Sequence, residues 1–131
     1  MNMKDERQFV GYSKYRSRLV DGHVHTELCP HGSGDRTAMM IEKAIELRIE
    51  KVCLTEHAPL PTAFAAEYGG DKKAYDTASL KLNEVDTYLE LGRQLQRAYG
   101  THIDISLGFE VDYIPGFESD IQEFLDRYGP L

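Results

Sequence analysis

Long apolar runs are missing from this chain. No stretch approaches the ~20 consecutive apolar residues that a helix needs to cross a bilayer, which excludes a helical membrane span. The opening residues, Met1-Asn2-Met3-Lys4-Asp5-Glu6-Arg7, carry none of the apolar character of a secretory leader. Cysteine is scarce: Cys29 and Cys53 stand in unrelated contexts, too few for a disulfide framework. Reduced thiols and a cytoplasmic location are the expectation. Basic charge is in deficit, with 15 Lys+Arg against 22 Asp+Glu and a net charge of -7. That balance argues against nucleic acid or an anionic membrane as partner and suits a soluble, cation-attracting protein. Ordinary solubility explains it equally well. Internal repeats and low-complexity tracts are absent.

What remains is 131 residues, 41% of them hydrophobic, enough for one compact domain with its own core. Residues 1–18 read as a polar tail, loosely docked through Phe9, Tyr12 and Tyr15, and residues 19–131 as the domain. Leu19 to His25 is the first expected strand. His31-Gly32-Ser33-Gly34 is a turn, and Asp35 is a plausible cap for the helix that follows. That helix runs to about Arg48, with Met40, Ala44 and Leu47 on one stripe, Ile41 and Ile45 beside it, and Met39-Met40 in its core. Lys51 to Leu54 is a second strand, ending in Thr55-Glu56-His57. The prolines Pro59 and Pro61 open an irregular excursion from Ala58 to Asp76. Helical spacing returns at Leu82, Val85, Leu89, Gly92, Gln96 and Tyr99, with Gly100 placed to end it. Ile103 to Phe109 is a third strand ending at Glu110, and Phe117 to Tyr128 a last amphipathic helix that stops at Gly129-Pro130.

Strand, helix, strand, helix, strand, helix is the order of parallel βα units with right-handed crossovers. Functional groups in such folds collect beyond the C-terminal ends of the strands. Side chains two apart on a strand share a face, so His23 and His25 can aim two imidazoles at one point. Imidazole suits zinc, iron, nickel or copper. By itself such a pair is as easily two solvated histidines. Yet His57 ends the second strand, Glu110 the third, and His31 lies in the loop after the first. Three strand ends offering donors to one rim favour a metal site over scattered surface polarity. Glu110 has two oxygens and can bridge two ions. His102 lies before the third strand, at the opposite rim, and reads as surface. Asp21 is either an acceptor orienting a ligand histidine or a simple turn residue. Cys29 reads as a spectator thiol, and Glu56, Glu67 and Asp112 have no compelling role.

Four separated stretches carry a resemblance: Asp21-Gly22-His23-Val24-His25-Thr26, Cys29-Pro30-His31-Gly32-Ser33-Gly34-Asp35, Leu54-Thr55-Glu56-His57-Ala58-Pro59-Leu60-Pro61 and Gly108-Phe109-Glu110-Val111-Asp112-Tyr113. In order and spacing they resemble the PHP family of metal-dependent phosphoesterases, nearest its histidinol-phosphatase branch. The resemblance implies a distorted (β/α)7 barrel with up to three divalent ions (zinc, manganese or iron) at the C-terminal rim. His23, His25 and Glu110 would hold the first ion, Glu110 would bridge to the second, and His31 with His57 would hold the third. It also implies a small-molecule substrate, L-histidinol phosphate, hydrolysed to L-histidinol and phosphate in histidine biosynthesis.

The family's barrel needs about twice this length, and its later histidines and Asp-x-His pair have no counterpart here. The expectation is therefore an N-terminal α/β part of the barrel, about three parallel βα units with an open side, weak or inactive alone. Its open strand edges invite self-association. The alternatives are a PHP-type nuclease or nucleotide phosphoesterase, which the acidic charge disfavours, and a non-catalytic metal-binding half-barrel. One further consequence concerns Arg48, which stands where a helix-ending glycine is usual. A left-handed conformation there costs roughly 1 kcal/mol.

Overall fold

A computed structural model describes residues 18–67 and 72–129. The proposed tail therefore lies outside the described residues, apart from Arg18. Three strands, β1 (Val20–Val24), β2 (Lys51–His57) and β3 (Asp104–Glu110), form one parallel sheet in the order β1-β2-β3. Helices α1 (Thr37–Glu46) and α4 (Val85–Tyr99) link them, and α5 (Glu118–Tyr128) follows β3. This is the expected open arrangement of three parallel βα units. The described sheet does not close on itself.

Burial alternates strictly along β2. Val52 and Leu54 face the helices and join Ile41 and Ala44 of α1 and Val85, Tyr88, Leu89 and Leu95 of α4 in one core. The opposite row, Lys51, Cys53, Thr55 and His57, is half-buried and stands level with Asp104, Ser106, Gly108 and Glu110 of β3. Gly92 lets α4 lie close on β3, because a Cβ there would collide with a methyl of Leu107. Tyr88 crosses the core, its hydroxyl lying 2.8 Å from the Leu54 carbonyl oxygen and 2.7 Å from that of Gly108. Burial pushes that phenol up to about 12.

β1 contains an irregularity that matters for the site. Asp21 pairs with Val52 and Val24 with Leu54, so three steps on β1 oppose two on β2. A regular strand would carry His23 and His25 to the helix-covered face with Asp21. The extra residue reverses the phase. Val24 packs against the core, and both histidines join the face that holds His57 and Glu110.

The helix ends depart from expectation in instructive ways. Asp35 does not cap α1. Its carboxylate accepts from the Ser33 hydroxyl within the turn, and the N-cap is Arg36 without a side-chain bond. The cap comes from farther off: Thr37 N–H donates to the Glu27 carboxylate at 2.7 Å, and Glu27 N–H to the Thr37 hydroxyl at 3.0 Å. A carboxylate there also suits the helix dipole. The buried stripe of α1 is Thr37-Ile41-Ala44, so Met39 is exposed rather than core, and Leu47 lies past the helix end. There Arg48 takes φ 59°, with Arg48 N–H on the Ile45 carbonyl and Ile49 N–H on that of Ala44. This is a Schellman ending with arginine in glycine's usual place.

The excursion after β2 is not wholly irregular. It holds two short helices, α2 (Thr62–Glu67) and α3 (Lys72–Ala78). Both are too short for an apolar period to show, although Ala63-Phe64-Ala65-Ala66 has good helix propensity. A 3-10 turn, Leu82–Glu84, precedes α4, which ends at Gly100 in right-handed conformation.

Candidate metal centre

The phase shift in β1 and the ends of β2 and β3 bring five side chains to one place. His23 Nε2 lies 2.8 Å from Glu110 Oε2 and 3.0 Å from His25 Nε2. His25 Nε2 is 3.1 Å from the same oxygen. His57 Nδ1 stands 3.5 Å from Glu110 Oε2, and its Nε2 lies 3.1 Å from His31 Nε2. The His25 and His57 rings stack at 4.3 Å.

Hydrogen bonds behind the rings assign two tautomers. A carboxylate or a carbonyl can only accept, so each nitrogen facing one must carry the proton. His25 Nδ1 donates to Glu56 Oε1 at 3.0 Å, and His31 Nδ1 to the Thr77 carbonyl at 2.7 Å. In the neutral rings both Nε2 atoms then present lone pairs to the site. His23 Nε2 can donate to Glu110 Oε2 at 2.8 Å, but the His25 Nε2 lone pair then faces the same oxygen at 3.1 Å with no proton between them. A divalent ion resolves that conflict: adjacent donors 2.0–2.2 Å from one ion lie about 2.8–3.6 Å apart, from octahedral to tetrahedral angles. The residues therefore fit a metal by the chemistry of the donor set.

Glu56 is the residue that sequence reasoning passed over. It is fully buried on the core-facing row of β2. Its carboxylate accepts from Thr26 N–H at 2.9 Å, the Thr26 hydroxyl at 2.6 Å and His25. Burial works to raise its pKa, but the bonds from Thr26 and His25 outweigh it and the group lies below its ordinary range. The signal was legible: a glutamate on the row of Val52 and Leu54 must be buried, and a buried carboxylate needs donors. Glu110 is also held low, chiefly by His23 and then by the neighbouring imidazoles. Burial is the main cause that lowers His57. Cys29 is raised, first by burial and also by the nearby Glu56 charge. Its sulfur, His25 and His57 form a second group with ligand atoms within 4.8 Å of one another. Asp21 does not orient an imidazole. Among the described residues its Oδ1 receives only the His23 backbone N–H at 3.5 Å, which favours the turn reading. His102 is exposed before β3, as expected.

An open parallel sheet with imidazoles and a carboxylate gathered at its C-terminal rim defines the class. Residues 21–129 match the PHP domain, and the chain belongs to the PHP family. Among individual relatives, it is 38% identical over 110 residues to histidinol-phosphatase of Bacillus subtilis strain 168, covering 84% of this chain and 39% of that protein. A Deinococcus radiodurans protein, provisionally named for the same activity, is 26% identical over 110 residues, covering 84% of this chain and 38% of its own. The solved structure of hisK from Listeria monocytogenes, provisionally a histidinol phosphatase, superposes with a TM-score of 0.81 at 41% identity. It covers 85% of this chain and 41% of that one. The chain thus spans about two fifths of the relatives it matches. No helix among the described residues is long and apolar enough to cross a membrane.

Proposed function

We propose that this chain carries part of the metal centre of a histidinol-phosphatase, a metal-dependent phosphomonoesterase acting on L-histidinol phosphate in cytoplasmic histidine biosynthesis. The observation that carries the proposal is the cluster of three metal-ligating atoms, His23 Nε2, His25 Nε2 and Glu110 Oε2, within 3.1 Å of one another. The names of the relatives supply the substrate. Divalent ions of the zinc, manganese or iron kind, when bound, supply charge that neutralises phosphoryl oxygens and acidifies bound water. His23, His25 and Glu110 would hold a first ion and His31 with His57 another, while Glu110 offers its second oxygen to a neighbouring ion. Glu56 fixes the His25 tautomer and ring plane, as partners behind ligand histidines commonly do.

These donors are few for three ions, so the residues here are expected to turn over little substrate unaided. Catalysis of this kind depends on charge fixed in place before the reaction, and a centre short of ligands loses both occupancy and geometry. The test is phosphate release from L-histidinol phosphate, and from a nucleotide, with manganese, zinc or iron added. A His23→Ala, His25→Ala double variant is the control. Background release from both proteins, with metal bound only by the parent, is expected. Robust release abolished by the double change would overturn the need for further ligands. Preference for the nucleotide would favour a nuclease-like relative instead. The outer edges of β1 and β3 are unpaired among the described residues, so we also propose concentration-dependent self-association. A strictly monomeric sedimentation profile at high concentration would count against it.

A further inference from the structure

Cys29 sits in the β1–α1 loop, in a turn closed by Cys29 N–H on the Thr26 carbonyl at 3.0 Å and Gly32 N–H on the Cys29 carbonyl at 3.2 Å. The same turn delivers His31 to His57. A Cβ at position 32 would sit tightly against this cysteine, 3.1 Å from Cys29 Cβ and 3.6 Å from its sulfur. The Cys29 Sγ, one ring nitrogen of His25 and one of His57 all lie within 4.8 Å of each other. Around one zinc-sized ion, a sulfur at ~2.3 Å and a nitrogen at ~2.1 Å are about 4.4 Å apart when opposite and about 3.5 Å when adjacent. With every mutual distance bounded by 4.8 Å, at most a modest swing of a single side chain brings the sulfur to an ion held by a neighbouring imidazole.

We infer that Cys29 is a further metal ligand, its sulfur joining the ion that His31 and His57 would hold, next to the one that His25 would hold, and that this sulfur biases the centre toward thiophilic ions of the zinc class over manganese or magnesium. The inference rests on the site being a metal centre, as proposed above. Its physical basis is ligand softness. Imidazole and carboxylate accept many divalent ions, whereas a thiolate discriminates strongly against the hard ones. The competing role for Cys29 is that of a thiol donor to Glu56, against which it lies. Serine retains a hydroxyl donor but not the sulfur, so Cys29→Ser separates the two.

Cobalt(II) is the probe. The parent and a Cys53→Ser variant should show visible cobalt bands together with a near-ultraviolet thiolate-to-cobalt charge-transfer band. Cys29→Ser should keep the visible bands and lose the charge-transfer band. Its zinc affinity should fall roughly tenfold or more, since even partners behind the ligands are worth 10–100-fold, while manganese affinity stays nearly unchanged. A measurement on the unaltered protein needs no variant to fold: zinc should protect Cys29, but not Cys53, from iodoacetamide, read by peptide mass. Visible bands with no charge-transfer band in the parent, a band that survives Cys29→Ser, or alkylation of Cys29 indifferent to zinc would each remove Cys29 from the ligand set and leave the metal centre standing. Absence of any cobalt band from the parent would overturn the metal reading itself.

Discussion

The two rows of β2 show how this chain separates stability from chemistry. Val52, Leu54 and Glu56 are buried, while Lys51, Cys53, Thr55 and His57 are half-open, so neighbours in sequence occupy different environments. One row meets α1 and α4 and supplies the hydrophobic core. The other runs from an ion pair, Lys51 with Asp104 at 3.3 Å, to the imidazole and carboxylate of His57 and Glu110. The rows meet at Glu56, which is buried like the core and bonded to His25 of the site. A strand's period of two thus lets substitution on one row leave the other nearly untouched, except at that residue.

The largest expected effect tests the separation directly. Leu54 is wholly buried, and Leu54→Ala should cost about 2–5 kcal/mol by lost transfer energy and a residual cavity. Its neighbour Thr55 has a buried hydroxyl with no hydrogen-bond partner among the described residues. Thr55→Val should therefore be neutral or stabilising by about 1 kcal/mol. Urea melts of both variants check this. Equal losses would mean that the two rows are not energetically distinct.

Tyr88 binds the core side together through two sheet carbonyls, and its titration gives a signed prediction. The phenol is near 10 when unfolded and raised to about 12 when folded. Above pH 10 the unfolded chain releases this proton first, so stability present below pH 10 is lost as pH rises toward 12. The loss should be on the order of 2–3 kcal/mol. Denaturant melts at pH 9 and pH 12 should show it, and Tyr88→Phe should flatten it by that amount. An unchanged slope in the variant would assign the loss to other groups.

Glu56→Gln probes the junction of the rows. The amide retains volume and one acceptor but no longer fixes the His25 proton by charge. Zinc affinity should fall about 10–100-fold, with the fold retained by circular dichroism. Unaltered affinity by competition with a chromophoric chelator would reduce Glu56 to a structural residue.

Much of this was legible in the sequence, for physical reasons. Strand order and the rim positions of His23, His25, His57 and Glu110 follow from period and from where βα units place their strand ends. The phase shift between Asp21 and Val24 was not legible, because an extra residue in a strand leaves no mark on composition. The helix-capping carboxylate of Glu27 lies ten residues before Thr37, beyond the reach of local cap rules. Helices α2 and α3 are shorter than any apolar period can reveal. Glu56 was readable, but only by asking what a carboxylate does on a core-facing row.

The smallest expected effect lies on the core side alone. Arg48 holds φ 59° at the end of α1, where both Schellman bonds are made and a side chain is conformationally costly. Glycine takes that conformation without the Cβ penalty, though it also gains freedom when unfolded. Arg48→Gly should therefore stabilise by at most about 1 kcal/mol. The Arg48 side chain is exposed and precedes β2, at the end opposite the one where His57 joins the site, so zinc affinity should stay as in the parent. A thermal melt paired with a zinc titration reads both quantities on one sample. A stabilised variant with altered affinity would show that α1 and the donor face are coupled, and the separation seen along β2 would not extend to the helix that covers it.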